Sequence, residues 1–272
     1  RYIYRGQSPN NYVEFNNELW RIIAKETDGT YKIIRDELLP ESMAFDSEGY
    51  RSYENNTYCT YLDVSGVGCG VYGKVNGTYQ SPDGQLSGTI TEDSSIADYL
   101  NGEYYNGLTS IAQTQIQQHN FYIGPVEIYM DAENDSLSKN IAGEKMNTWT
   151  GNIGLVNVSD VLKASTNPVC TSASEQFLQM MEGISSCNNS YLFDPLVGEM
   201  GYWSINNTYL ASVPFPTSDV WTVASISSTV AGIASTTAVE TTMAYARPVL
   251  FLKSSTQFTS GNGSKTNPFL LS

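Results

Sequence analysis

Two apolar runs, Leu19 to Ala24 (LWRIIA) and Tyr31 to Arg35 (YKIIR), stand on either side of Thr27, Asp28, Gly29 and Thr30. Asp-Gly between runs rich in Ile reads as a β-hairpin, because the turn needs residues that tolerate a positive φ and the flanks need side chains that suit a pleated surface. A shorter run, Tyr12 to Phe15, precedes the polar turn Asn16, Asn17 and Glu18, so residues 1–40 read as an antiparallel meander. Trp20, inside its strand, reads as a core anchor rather than a contact residue. At the other end of the chain, ARPVLFL from Ala246 and the terminal NPFLL read as closing strands that pair back toward this meander.

Between the two ends, residues 41–200 read as a loop-rich and helical middle. Met43 to Phe45 reads as a strand, and residues 46–93, dominated by Gly, Ser, Asn, Tyr and Thr, as a long loop stapled by a disulfide. Ser94 or Ser95 caps a helical segment in which Ile96, Leu100, Tyr104 and Leu108 recur at four-residue spacing, with Ile111 and Ile116 in a second stripe and breaks expected at Gly102 and Gly107. Phe121 to Met130 reads as a strand with an edge or bulge at Pro125, and Ser136 to Asn147 as a short helix. Ile153 to Val158 reads as a strand, followed by a turn through Val161 and Leu162 capped by Ser159 or Asp160. Strands, then helices, then strands predict an α+β fold with antiparallel sheets and two to four short helices. With no repeat and no dividing linker, residues 1–272 form one domain, closed by a display region and strands over 201–272.

Composition narrows the partners. Fourteen Lys and Arg against 28 Asp and Glu give a net charge of −14, which repels phosphate and argues against nucleic acid. The cysteines fall as two local pairs, Cys59 with Cys69 and Cys170 with Cys187; short loops close most easily, so two disulfides and an oxidising, extracellular location are expected. No apolar run is long enough to cross a membrane. The opening Arg1, Tyr2, Ile3 and Tyr4 read like the start of an ectodomain whose export signal or anchor lies outside this sequence.

Catalytic and metal chemistry find little support. Gly68, Gly70 and Gly73 match G-x-G-x-x-G, but no helix follows and Val75 stands where a P-loop needs Ser or Thr after Lys74, so these glycines read as turn residues around Cys69. His119 is the only histidine and reads as a polar residue ending the helix from Ile111 to Gln118; no nucleophile elbow or zinc spacing exists. Asp131, Glu133, Asn134 and Asp135 lack the glycine and distal glutamate of a calcium loop and read as a solvated acidic turn. No catalytic residue, metal or cofactor is assigned.

Both ends and much of the middle resemble an uncharacterised family of surface proteins from gut Firmicutes and their wall-less relatives. The resemblance is carried by YRGQSPNNYVEFNNELWRII at Tyr4 to Ile23, ADYLNGEYYNGL, GLVNVSDVLKAS, TNPVCTS, Tyr202-Trp203-Ser204, SDVWTV at Ser218 to Val223, and ARPVLFLKSSTQFTSGNGSKTNPFLL at Ala246 to Leu271. Ala246 replaces the family's glycine before Arg-Pro, and Val213, Pro214, Phe215 and Pro216 replace its SPF-like residues. Members often carry a pilin-like or other membrane anchor. The resemblance implies a C-type-lectin-like domain with long disulfide-stapled loops on a bacterial cell surface, of the kind whose C-terminal tract is diversified for binding. The Glu-Pro-Asn and Trp-Asn-Asp motifs of calcium-dependent lectins are absent, so it does not imply sugar binding through calcium.

The tract from Ser204 to Thr237 then reads as a recognition surface, since small hydroxylated residues among a few aromatics suit adaptable contacts. Tyr202, Ser204, Asn206, Asn207, Tyr209, Phe215, Thr222, Ser225, Ser227 and Ser228 are its candidate ligand-binding residues, with Trp203 and Trp221 behind them in the core. The expected function is adhesin-like or receptor-like binding of a protein or glycan at the host or bacterial surface. Two alternatives remain: a structural subunit of a pilus-like filament, which would associate with itself, and a carbohydrate-active enzyme using an unassigned carboxylate pair.

Overall fold

A computed structural model of the chain describes residues 1–47, 70–82, 87–88, 90–128, 132–194, 201–209, 219–227, 230–237 and 244–272. The opening hairpin folds as its pattern predicts, with β3 (Glu18–Lys25) antiparallel to β4 (Tyr31–Arg35). At the turn Gly29 takes φ +90°, and Asp28 Oδ1 accepts from Thr30 N (3.0 Å) and Thr30 Oγ1 (2.7 Å). Asn16 and Asn17, both at positive φ, turn β2 (Tyr12–Phe15) onto β3, as a two-residue turn of the twisted ribbon requires. The remaining strands of this first sheet are β1 (Tyr2–Ile3), β11 (Ile153–Gly154) and β16 (Val249–Leu252), in the order β1-β3-β4-β16-β11, with β2 also on β3.

The closing segments do return to the meander. β16 pairs antiparallel with β4, Leu250 opposite Ile33, and Phe269 bridges Val13 through Glu14 N to Phe269 O (2.9 Å). Just before β16 stand Arg247 and Pro248, and Pro248 O accepts from Arg35 N (3.0 Å). Arg247 is fully buried and has no carboxylate partner among the described residues; its guanidinium donates to the carbonyls of Arg35 (2.8 Å), Leu192 (3.0 Å) and Asp36 (3.1 Å) and to Tyr202 Oη (3.2 Å). It thereby ties the first sheet to the second.

That second sheet has the order β14 (Val230–Thr237), β13 (Asp219–Ser227), β12 (Tyr202–Tyr209), β15 (Ala244–Tyr245) and β5 (Ser42–Met43), with β9 (Val126–Glu127) parallel to β12. Short ribbons join β8 (His119–Tyr122) to β10 (Thr148–Gly151), β6 (Tyr79–Gln80) to β7 (Ser87–Gly88), and β17 (Phe258–Ser260) to β18 (Leu270–Leu271). Trp20, Trp149, Trp203 and Trp221 all belong to one contiguous buried cluster spanning both sheets.

The helices depart from expectation in instructive ways. Ser94 caps α1 (Ser95–Tyr99) by accepting from Ala97 N, but Gly102 does not break the rod, which runs on through a π-helical turn (Leu100–Tyr104) into α2 (Tyr105–Gly107). Thr109 caps α3 (Ser110–Gln115), which leaves Ile111 exposed rather than in an apolar stripe. α4 (Leu137–Glu144) starts at its expected cap Ser136. α5 (Val158–Ala164) and α6 (Ala173–Met181) fall where a capped turn and no element were expected; Asn157 precedes α5, so Ser159 and Asp160 lie within the helix. Counting α1 to α2 as one rod, the described residues hold five helical segments, more than the two to four expected.

The strands expected at Phe121–Met130 and Ile153–Val158 are interrupted because backbone packs there. A Cβ on Gly124 would lie 2.1 Å from the Gly143 carbonyl of α4, and one on Gly154 would lie 2.5 Å from the Phe121 ring. Gly73 likewise serves a close approach, since its Cβ would meet the Trp149 indole at 2.3 Å. Cys170 and Cys187 form a disulfide that brackets α6, while Cys59 and Cys69 lie outside the described residues. Among the described residues no helix is long and apolar enough to cross a membrane.

Candidate functional site

The residues expected to meet a ligand are mostly interior. Every residue of β12 is buried, which includes Tyr202, Ser204, Asn206, Asn207 and Tyr209, and Thr222 and Ser225 of β13 are buried as well. Most of their polarity is consumed inside the fold; the buried Asn207 Nδ2 is the exception, with no partner among the described residues. Tyr202 Oη donates to Leu192 O (2.8 Å), Asn207 Oδ1 accepts from Tyr79 Oη (2.7 Å), and Thr222 Oγ1 donates to Ala234 O (3.4 Å). Asn206 Nδ2 donates to the carbonyls of Gly124 (2.9 Å) and Tyr122 (3.1 Å), while its Oδ1 accepts from Val158 N and Asn157 Nδ2 (both 3.1 Å). Ser204 Oγ accepts from Asn206 N (3.2 Å). As a surface array these seven side chains are therefore corrected to core positions: hydroxyls and amides pair with neighbouring backbone and so tolerate full burial. Phe215 and Ser228 lie outside the described residues, and Ser227 ends β13 with its side chain also outside them.

A different region gathers charge around open space. A cavity of about 460 Å³ lies between the β3–β4 turn, β8, the end of α4 and α5, with Lys32 of β4 and Phe251 of β16 beneath it. Its wall on α5 begins with Asp160, only 2% exposed, whose Oδ2 meets Lys32 Nζ at 2.5 Å and whose Oδ1 meets Arg1 Nη2 at 2.7 Å. Lys32 Nζ also donates to Asn157 Oδ1 (2.8 Å), the residue that Asn206 supports from behind. The predicted residue Asn206 thus stands one layer below the cavity, orienting its lining.

Glu144, at the end of α4, accepts from Ser159 N (2.7 Å) and Ser159 Oγ (2.6 Å). Burial pushes its carboxyl up to about 7; the Ser159 hydrogen bonds oppose that rise and the Asp160 charge adds to it. Burial would also raise the Asp160 carboxyl, but Lys32, Arg1 and Lys163 outweigh it and hold the group below the usual carboxylate range. Burial lowers the Lys163 ammonium, with Asp160 opposing. Across the cavity, burial would raise the Asp28 carboxyl too, but hydrogen bonds from Thr30 and His119 bring it down to about 2.

His119 corrects a second expectation. The helix ends at Gln115, and His119 opens β8, where its ring stacks on Phe251 with centroids 3.8 Å apart. Its Nε2 lies 3.0 Å from Asp28 Oδ2 and its Nδ1 3.0 Å from Asn120 O, so the ring is fixed between the hairpin turn and its own strand. Farther out, Tyr122 is 41% exposed and Lys145 lies 5.5 Å from its ring centroid.

Sequence reasoning missed this site because its members come from distant segments. One signal was available: Lys32 and Arg21 each interrupt an apolar strand, and a cation at a buried strand position demands a partner. No group of His, Cys, Asp and Glu that could hold a metal ion occurs among the described residues. No protein-family model, curated protein or solved structure gives a significant match to this chain.

Proposed function

We propose that this protein is an extracellular, cell-surface ligand-binding domain of C-type-lectin-like architecture, and that its ligand occupies the charged cavity between β8, α4 and α5. The observation that carries this reading is the cavity itself: concave, of small-ligand size, and lined by side chains already fixed by hydrogen bonds and stacking. Preorganised polar groups around open space favour binding, because little order has to be gained when a ligand enters. The disulfide Cys170–Cys187 supports an oxidising compartment, and β16 closing the first hairpin around the inserted helices and second sheet supports the lectin-like topology.

Catalysis by a carboxylate pair has less support at this site. Glu144 would suit the acid, but Asp160 has both oxygens in ion pairs and is not free to act as base or nucleophile. The test is a thermal-shift screen of neutral and acidic sugars, amino acids and nucleotides against the wild type, Lys163→Met and Thr222→Val. A ligand that raises the Tm of wild type and Thr222→Val but not of Lys163→Met supports the cavity. Loss of the shift only in Thr222→Val returns the site to the C-terminal sheet, and turnover of the ligand makes the protein an enzyme.

A further inference from the structure

The cavity's donors and acceptors are used very unequally. Its carboxylates are all engaged: Glu144 by Ser159, Asp160 by Lys32 and Arg1, Asp28 by Thr30 and His119, and Glu26 by Arg1 Nε at 2.9 Å. Its cations are not. Among the described residues, Lys163 Nζ makes one long hydrogen bond, to Ser159 Oγ at 3.4 Å, out of three that an ammonium can donate. Among the described residues, the Lys145 ammonium shows only its contact with the Tyr122 ring. Lys32 directs two hydrogen bonds to Asn157 and Asp160, and Arg1 uses Nε and Nη2 while Nη1 has no partner among the described residues. In a chain of net charge −14, four of the 14 Lys and Arg residues line this one cavity and retain N–H groups for a ligand.

Charge and size narrow the ligand further. Arg1, Lys32, Lys145 and Lys163 face Glu26, Asp28, Asp160 and the partly ionised Glu144 around the same cavity, so near neutral pH its charges are close to balance with a slight positive excess. A monoanion is accommodated there, whereas a phosphate dianion would bring excess negative charge against four carboxylates in an already acidic protein. About 460 Å³ is more than a bare carboxylate fills. The rest of the lining combines an exposed Tyr122 ring with the polar groups of Asn120 and Thr27, suited to a ring with C–H faces and hydroxyls.

Resting on the cavity as the binding site, we infer that its ligand is an acidic sugar, a saccharide whose carboxylate is held by Lys163 and Lys145 while its ring lies toward Tyr122. Isothermal titration with glucuronate, glucose, glucose 6-phosphate and acetate tests this directly. Glucuronate binds at least tenfold more tightly than glucose or acetate, and weakens as salt rises. Lys163→Met and, separately, the exposed Lys145→Met each lower that affinity at least threefold, Lys145→Met without lowering Tm, and Lys163→Arg restores most of what Lys163→Met loses. If Lys163→Met does not fold, Lys145→Met decides the matter alone. Equal affinity for glucose, tighter binding of glucose 6-phosphate, or no binding of glucuronate overturns the ligand class. Should another ligand from the thermal-shift screen bind and lose affinity in Lys145→Met, the cavity stands and only the acidic sugar falls. If no ligand's affinity responds to the cavity variants, both fall.

Discussion

The C-terminal sheet and the charged cavity are both polar regions, yet they use polarity in opposite ways. The candidate side chains of β12 and β13 are neutral and buried, and most of their hydrogen bonds go to backbone carbonyls inside the fold. Around the cavity they are charged, come from the first sheet with its hairpin turn and from two helices, and keep hydrogen-bonding capacity facing open space. Small neutral polar groups can be satisfied in a core at modest cost, whereas charges are retained only where partners or water compensate them. A polar stretch in sequence therefore marks a surface less reliably than a charge interrupting an apolar strand.

The sharpest way to break this contrast is at Arg247, an interior charge held by backbone carbonyls away from the charged cavity. Arg247→Met removes the donors to Arg35, Asp36 and Leu192 carbonyls and should cost about 3–5 kcal/mol in urea unfolding. A loss below about 1 kcal/mol would mean that the two sheets hold together without it.

Glu144 gives the next largest effect. Its folded pKa, about 7, lies above its ordinary value of 4.5, so below pH 4.5 both folded and unfolded chains carry the proton and nothing is lost. As pH rises toward 7 the unfolded chain ionises first, and stability falls by about 3 kcal/mol before levelling off. Glu144→Gln should remove that decline from urea midpoints measured at pH 4.5, 6 and 8; an identical decline in the variant would assign it to other groups. Asp160, with its pKa depressed, contributes in the opposite sense, through stability that is lost as pH falls below the carboxylate range.

Smaller effects separate the two regions most cleanly. Asn207→Ala leaves Tyr79 Oη without its acceptor and should cost about 1–2 kcal/mol while leaving glucuronate affinity unchanged. Lys145→Met should change stability by about 0.5 kcal/mol or less, because the residue is exposed, while weakening the ligand. If stability and binding responded the other way round, the assignment of core and site would be reversed.

The parts of the fold legible in sequence are those carried by local pattern. Asp28-Gly29 and Asn16-Asn17 mark the turns of the first sheet, Ser94 and Ser136 mark helix starts, and the ARPVLFL strand closes onto β4. Gly102 misled because a helix can absorb an extra residue as a π turn without stopping. The cavity was hidden because its contacts span the chain: Lys32 reaches Asp160 across 128 positions and Arg1 reaches it across 159. The described candidate residues of the Ser/Thr/Asn tract are buried rather than displayed for a physical reason, since hydroxyls and carboxamides look the same in sequence whether water or a carbonyl satisfies them. Asn206 nevertheless lies near the site, as a buried support for Asn157 rather than as a contact.

Backbone amide shift mapping during a glucuronate titration tests the central claim most directly. The account predicts that the amides of Asn120, Tyr122, Lys145, Ser159 and Lys163, which line the cavity, move in a saturable manner while those of Thr222 and Ser225 stay still. Saturable shifts concentrated on β12 and β13, with the cavity amides unmoved, would contradict it.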